Sequence, residues 1–164
     1  LTAKVVSVFC NNPNAKVLDR AKNLNVPTVV FSKEELNNGF VLNKLEKYKP
    51  DLIVLAGFLW QFPASIIEKY PNSIINIHPA LLPKYGGKGM YGMKVHAAVL
   101  YNKEQETGIT IHHVNEHYDE GNIIFQQSVK IDDCKTPEEI AAKIHELEHK
   151  HFPMVIEEIL NLKS

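Results

Sequence analysis

The chain is poor in the residues that mark several classes of protein. Its two cysteines, Cys10 and Cys134, form neither a disulfide framework nor a metal-binding spacing, so we expect reduced thiols in a cytoplasmic protein. No apolar run approaches the roughly 18 residues that span a bilayer, so we expect no membrane partner. The net charge of −1 shows no basic excess, which argues against nucleic acid as a partner.

What is present resembles an ordinary globular protein. Apolar residues make up 45% and charged residues 23% of the 164 positions, a length that suits one domain with its own core. The glycines at 86, 87 and 89 fit neither GxGxxG nor the P-loop pattern, and no GxSxG or Cys–His nucleophile pattern occurs. The sequence therefore contains no standard nucleotide-phosphate loop or nucleophile motif.

Strand-like and helix-like segments alternate over the first half of the chain. We predict strands at 5–9, 27–31, 52–57 and 74–78, and helices at 15–24, 32–48 and 63–70. Ser32 and Glu35 have the spacing of a capping box for the second helix. The continuous apolar run 52–57 is typical of a strand that is buried on both faces. This alternation predicts βαβ units and parallel strands.

The second half differs, because two strands follow each other without a helix. We predict a helix at 93–102, strands at 108–114 and 122–131, and a last helix that begins after Thr136 and is kinked or split at Pro153. The fold class predicted for residues 1–164 is α/β, as one domain: an open, mostly parallel twisted sheet with helices on both faces and an antiparallel addition near the C-terminal half. Ligands should bind beyond the carboxyl ends of the strands.

Asn76 and His78 lie two residues apart at the end of a predicted strand, so their side chains project to the same face. A neutral carboxamide can hold a developing oxyanion, and an imidazole can move a proton near neutral pH. Two such residues are, however, more often a satisfied pair in a core. The Pro- and Gly-rich segment that follows them favours the wall of a pocket.

Asp119 lies before Gly121 in a turn, where an aspartate most often caps the backbone at the surface. It gains a chemical role only if it faces His78, because a carboxylate, an imidazole and a carboxamide around one point suit acyl transfer. His145 and His149 share one helical face, but no HExxH pattern is formed, so we expect no metal.

Several segments together closely resemble the phosphoribosylglycinamide formyltransferase family. They are VLAGFLW, NIHPALLPKYGG, ETGITIHHVNEHYDEGNII and ELEHKHFPMVI, in the family's order and over nearly the whole chain. The resemblance implies a Rossmann-like formyltransferase fold and transfer of a formyl group from 10-formyltetrahydrofolate to the amine of glycinamide ribonucleotide in purine biosynthesis. Both partners would be small molecules, and the protein would be a monomer or a homodimer.

The resemblance also implies roles for particular residues. Asn76, His78 and Asp119 match the family's catalytic trio. The folate would contact Leu55, Phe58, Leu59, Trp60 and Phe62, together with Asn115, Glu116, His117 and Tyr118. The nucleotide would contact Ile77, Pro79, Gly87 and Glu148, the last of which matches a glutamate that binds the ribose.

One part of the family pattern has no match. Family members begin with a strand and a Gly-Ser-Asn phosphate loop that opens a helix, whereas the first strand here matches the family's second; we therefore expect that this N-terminal strand–loop–helix is missing from the sequence. The alternatives are another folate-dependent formyltransferase, a formyltetrahydrofolate hydrolase, or an inactive folate-binding fragment. Pro79 favours a transferase over the hydrolase, and the intact trio argues against an inactive fragment.

Overall fold

A computed structural model describes residues 2–163, which form two compact units. The first unit comprises Thr2–Asp51 and contains β1 (Val8–Cys10), α1 (Lys16–Asn23), β2 (Thr28–Val30), α2 (Lys33–Asn37) and α3 (Phe40–Tyr48). Its two strands pair in parallel. The predicted capping box is confirmed, because Ser32 Oγ accepts from the Glu35 amide and Glu35 accepts from the Ser32 amide.

The helix predicted at 32–48 is two helices. The chain leaves α2 at Asn38, and Gly39 takes a left-handed φ of 95° before α3 begins. A left-handed residue interrupts the helical hydrogen-bond ladder, and glycine adopts it without steric cost. The interruption is therefore a property of Gly39 that the periodicity of the flanking residues does not reveal.

The second unit, residues 52–163, carries a four-stranded sheet in the order β3-β4-β5-β6. Its strands are β3 (Ile53–Ala56), β4 (Ile74–His78), β5 (Glu106–His113) and β6 (Ile123–Lys130), and its helices are α4 (Ala64–Lys69), α5 (Met93–Tyr101) and α6 (Pro137–Lys163). The β3–β4 pair is parallel, whereas β4–β5 and β5–β6 are antiparallel. The α/β class and the antiparallel addition are confirmed.

Two local predictions for this unit were wrong. β3 is not buried on both faces, because Val54 is 38% exposed while Ile53 is buried. Nor does Pro153 split the last helix, which continues through it to Lys163; the alternative of a kink at Pro153 stays a prediction. Val155 and Ile144 of this helix lie in the core, so packing of the helix against the sheet outweighs the hydrogen bond that the proline cannot donate.

The core of this unit lies between the sheet and helices α5 and α6. Its centre consists of aliphatic side chains from β4, β5, α5 and α6, including Ile75, Ile77, Val95, Ile109, Ile111 and Ile144. Because Ile77 enters the core, its neighbours Asn76 and His78 project from the opposite face of β4. Among residues 2–163 no helix is long and apolar enough to cross a membrane.

Candidate active site

A cavity of about 550 Å³ lies in the second unit, beyond the carboxyl ends of β3 and β4. Its walls come from the end of β3 and the segment after it, the end of β4, the glycine-rich segment before α5, the turn after β5, and helices α5 and α6. The lining residues are Ala56, Gly57, Phe58, Leu59, Asn76, Ile77, His78, Pro79, Gly87, Lys88, Gly89, Met90, Tyr91, Gly92, His96, Tyr118, Asp119, Ile144, His145 and Glu148. This is the position at which open α/β sheets bind ligands.

Asn76 is held at the cavity wall by His112 on the neighbouring strand. The two residues lie opposite each other in the β4–β5 register, with 3.2 Å between Asn76 Nδ2 and His112 Nε2. His112 Nδ1 lies 2.8 Å from the carbonyl oxygen of His113 and must donate to it, since a carbonyl only accepts. His112 Nε2 is then free to accept from Asn76, which leaves the second N–H of the carboxamide for another partner.

His78 is buried, with 3% of its surface exposed. Its Nε2 lies 2.7 Å from the carbonyl oxygen of Tyr85 and donates to it, while Nδ1 lies 3.5 Å from Asp119 Oδ2. Burial lowers the pKa of His78 below its ordinary value, against the opposing effects of the Asp119 charge and the Tyr85 carbonyl. The imidazole is therefore neutral at pH 7, with its lone pair on Nδ1.

Asp119 faces His78, which is the condition for a chemical role of this carboxylate. Its side chain is only 12% exposed, so the expectation of a surface turn residue was wrong. Oδ2 accepts from the Gly87 amide at 3.0 Å, and Oδ1 lies 3.5 Å from His112 Nε2. Burial acts to raise the pKa of Asp119, but His112 and His78, which can donate to the carboxylate when they are protonated, and the Gly87 amide outweigh burial and lower the pKa. The carboxylate is thus charged at neutral pH.

The turn that carries Asp119 is closed by Gly121. A Cβ atom on Gly121 would overlap the carbonyl oxygen of His113. The two ends of the turn are fixed to the sheet, where the His113 amide donates to Asn122 at 2.9 Å and the Val114 amide donates to Ile74 at 3.0 Å. The glycine of the D-x-G segment therefore allows the turn to pass close to β5, which places Asp119 over the end of the sheet.

Only some of the residues that the family resemblance assigns to folate line the cavity. Phe58, Leu59 and Tyr118 line it, whereas the other residues of that group lie outside the lining: Leu55, Trp60, Phe62, Asn115, Glu116 and His117. Trp60 and Phe62 pack edge-on against Phe58, at 6.0 and 5.9 Å between ring centroids. Gln61 Nε2 donates to the Glu116 carbonyl at 2.6 Å and joins the two loops.

The residues assigned to the nucleotide, Ile77, Pro79, Gly87 and Glu148, all line the cavity. Burial raises the pKa of Glu148, against the opposing effect of His145 and His149. The buried His96 also lines the cavity, and burial lowers its pKa, assisted by His145 and His78. Within the described part of the chain, no group of three or more His, Cys, Asp or Glu side chains is placed to hold a metal ion.

Sequence reasoning missed the role of His112 and of Tyr85. The sequence alone assigns no role to His112, although strand alternation already places it on one face of β5 with Thr110. Antiparallel pairing of this strand with β4 would have brought that face beside Asn76 and His78. For Tyr85, no signal in the sequence indicates that its backbone carbonyl, rather than its ring, contacts His78.

Comparison with known proteins agrees with this architecture. The formyl transferase family model matches residues 1–156. A phosphoribosylglycinamide formyltransferase of Bacillus subtilis is 35% identical over 99% of this chain and 83% of its own. The chloroplastic phosphoribosylglycinamide formyltransferase of Arabidopsis thaliana is 40% identical over 93% of this chain, which spans only 54% of that protein.

Solved structures give the same result. Phosphoribosylglycinamide formyltransferase from Bacillus halodurans superposes with a TM-score of 0.88 at 29% identity, over 100% of this chain and 84% of the other. Glycinamide ribonucleotide transformylase 1 from Geobacillus kaustophilus gives a TM-score of 0.86 at 32% identity, over 96% and 84%. The chain belongs to the formyl transferase family, among the phosphoribosylglycinamide formyltransferases.

Proposed function

We propose that the protein transfers a formyl group from 10-formyltetrahydrofolate to the amine of glycinamide ribonucleotide, in purine biosynthesis. The observation that carries this proposal is the convergence of Asn76, His78 and Asp119 on one cavity. A neutral hydrogen-bond donor, a neutral imidazole and a carboxylate are groups that can promote the addition of an amine to a formyl carbon. Family membership supports the same reaction.

Asn76 would stabilise the negative charge that develops on the formyl oxygen. One N–H of its carboxamide is used by His112, and the other is available for that oxygen. The pairing with His112 fixes the orientation of the carboxamide before the substrate binds, so little reorganisation is needed at the moment of reaction. Asn76 thus contributes a preorganised donor that carries no charge of its own.

As the amine nitrogen bonds to the formyl carbon, the bond from that carbon to the folate nitrogen breaks, and His78 and Asp119 would carry the proton that the amine loses to the departing folate nitrogen. Because Nε2 is used by the Tyr85 carbonyl, a proton enters or leaves His78 at Nδ1, on the side of Asp119. The 3.5 Å between Nδ1 and Oδ2 exceeds a good hydrogen bond, and the carboxylate stabilises the imidazolium once Nδ1 is protonated. The lowered pKa of His78 keeps the imidazole neutral and able to accept that proton.

The two substrates would contact different sets of the residues that line the cavity. Phe58, Leu59 and Tyr118 offer an apolar and aromatic surface, supported from behind by Trp60 and Phe62, which suits the folate. Glu148 would bind the ribose of the nucleotide, and Ile77, Pro79 and Gly87 would contact the same substrate. The co-substrate supplies the formyl group, and no residue of this cavity has to form a covalent intermediate.

The test is a direct assay with the protein, 10-formyltetrahydrofolate and glycinamide ribonucleotide, in which formylated nucleotide and free formate are both quantified by mass spectrometry. We expect stoichiometric formyl transfer, reduced roughly 10²–10³-fold by Asn76→Ala, as for loss of one oxyanion donor. The matched control is Asn161→Ala, which changes an exposed asparagine in helix α6, where alanine fits the backbone. Formate release without amine consumption would indicate a hydrolase, and no loss of formyl from the folate would indicate a non-catalytic protein.

A further inference from the structure

Tyr85 lies in the segment between β4 and α5 and makes contacts at both of its ends. Its carbonyl accepts from His78 Nε2 at 2.7 Å. Its hydroxyl donates to Glu104 Oε1 at 2.9 Å and accepts from Asn102 Nδ2 at 3.0 Å. Tyr85 therefore joins a cavity residue to the end of helix α5, where Asn102 is the C-cap.

The backbone of Tyr85 requires support from these contacts. Its φ of 58° lies in the left-handed region, which bulky residues rarely occupy and which costs free energy. A conformation of this kind persists where surrounding interactions hold it. The side-chain hydrogen bonds supply such an interaction, because they hold the ring at one place while the carbonyl turns toward His78.

The hydroxyl is a dependable donor in this arrangement. Hydrogen bonds from Tyr85 and Lys84 lower the pKa of Glu104, which is therefore a carboxylate at neutral pH. Burial and the hydrogen bond to Glu104 raise the pKa of Tyr85, so its hydroxyl keeps the proton that it donates. Lys84 lies 3.1 Å from the same Glu104 oxygen, but its side chain is 68% exposed and adds little.

The carbonyl of Tyr85 decides which nitrogen of His78 carries the proton. A carbonyl can only accept, so contact with it requires Nε2–H and leaves the lone pair on Nδ1. If the carbonyl withdrew, the imidazole could place its proton on Nδ1 and donate to Asp119 instead. The lone pair would then lie on Nε2, away from the carboxylate that stabilises the protonated ring.

We propose that Tyr85 is a positioning residue, whose hydroxyl, anchored at Glu104 and Asn102, holds its carbonyl on His78 Nε2 and so fixes the tautomer of His78. This deepens the proposed function, since the tautomer determines where His78 gains its proton during formyl transfer. The hydrogen-bonded cluster of Tyr85, Glu104 and Asn102 would thus act on His78, although none of the three residues lines the cavity.

The test combines a spectroscopic and a kinetic measurement on Tyr85→Phe, with Tyr101→Phe as the control. Tyr101 is the last residue of helix α5 and is 86% exposed, so its hydroxyl makes no comparable contact with the described residues of the cavity. Nitrogen-15 NMR of labelled histidine distinguishes the Nε2–H from the Nδ1–H tautomer. We expect a pure Nε2–H form for His78 in the unchanged protein and in Tyr101→Phe, and a mixture of both forms in Tyr85→Phe.

In the formyl-transfer assay, Tyr85→Phe should lower kcat about 10-fold with little change in KM. A loss of this size corresponds to the free energy of roughly one hydrogen bond, here the one that keeps His78 oriented. Glu104→Ala should reproduce both effects, and Glu104→Gln, which keeps an acceptor oxygen, should restore the tautomer. An unchanged His78 tautomer in folded Tyr85→Phe and Glu104→Ala would overturn the inference. Because NMR needs no substrate, this result stands apart from any failure of the proposed reaction.

Discussion

Asn76 and His112 face each other across the antiparallel strands β4 and β5, with 3.2 Å between the carboxamide nitrogen and the imidazole Nε2. His112 is 2% exposed, and its other nitrogen donates to the His113 carbonyl. The imidazole is thus held in one orientation by the backbone and in turn orients the carboxamide. Its distance of 3.5 Å from Asp119 places it between the two groups proposed for catalysis.

Replacement of His112 by Phe should therefore slow the reaction without removing either group. The ring keeps its volume but offers no acceptor to Asn76 and no contact for Asp119. We expect kcat to fall roughly 10-fold, in proportion to a hydrogen bond of about 1 kcal/mol, with KM little changed. The control is His149→Phe, at an exposed position of helix α6 outside the cavity lining. A variant with unchanged kcat would show that Asn76 is oriented without His112.

Asp119→Asn should separate chemistry from stability. We expect kcat to fall roughly 10²–10⁴-fold, because general acid–base support is lost. Folding should be affected little, since φ of Asp119 is 57° and asparagine tolerates the left-handed region well. The comparison is Asp119→Ala, which should lower the thermal midpoint further, because alanine is less suited to this backbone. Equal kcat for Asp119→Asn and the unchanged protein would remove Asp119 from the mechanism.

These residues show how far sequence reasoning could go. Period-2 alternation correctly placed Asn76 and His78 on one face of a strand, and capping chemistry correctly placed the start of α2, because both depend on residues close together in the chain. The contact of Asp119 with His78 was stated only as a condition. It depends on the register of β5 against β4 and on the path of a turn, which involve residues far apart in sequence.

The wrong predictions also concern features that depend on contacts between residues far apart in the sequence. Pro153 remains inside α6 because its neighbours Phe152, Val155 and Ile156 pack in the core, and that packing cannot be read from the helix alone. The exposure of Val54 in β3 likewise depends on which elements cover the sheet, and not on the apolar run itself. The predictions of a single domain, a cytoplasmic location and a monomer or homodimer stay predictions.

Gly121→Ala should destabilise the second unit strongly. The added Cβ would overlap the His113 carbonyl, which is fixed in β5, so the turn or the strand has to move. We expect a loss of at least about 3 kcal/mol in the free energy of unfolding, measured by urea denaturation. Glu120→Ala, at the exposed neighbouring position, should have almost no effect. Equal midpoints for the two variants would mean that the turn does not need its close approach to β5.

The free energy of unfolding should fall as the pH falls below about 6.5, the ordinary pKa of histidine. Burial lowers the pKa of His78, His96 and His113 in the folded protein, so the unfolded chain binds more protons in this range. Each such histidine contributes stability that is complete above its unfolded pKa and is lost on acidification, at up to about 1.4 kcal/mol per pH unit. Glu148 acts in the opposite sense, because its pKa is raised by burial and folding favours its protonated form.

Urea denaturation at intervals from pH 7.5 to pH 5 checks this balance. We expect the midpoint to decrease as the pH falls, since three histidines lower the free energy of unfolding on acidification and only one carboxyl raises it. His96→Gln should make the decrease shallower, because one lowered pKa is removed. Glu148→Gln should make it steeper, because the opposing proton uptake is lost. A midpoint that is constant or rises on acidification would show that these imidazoles are not held neutral by burial.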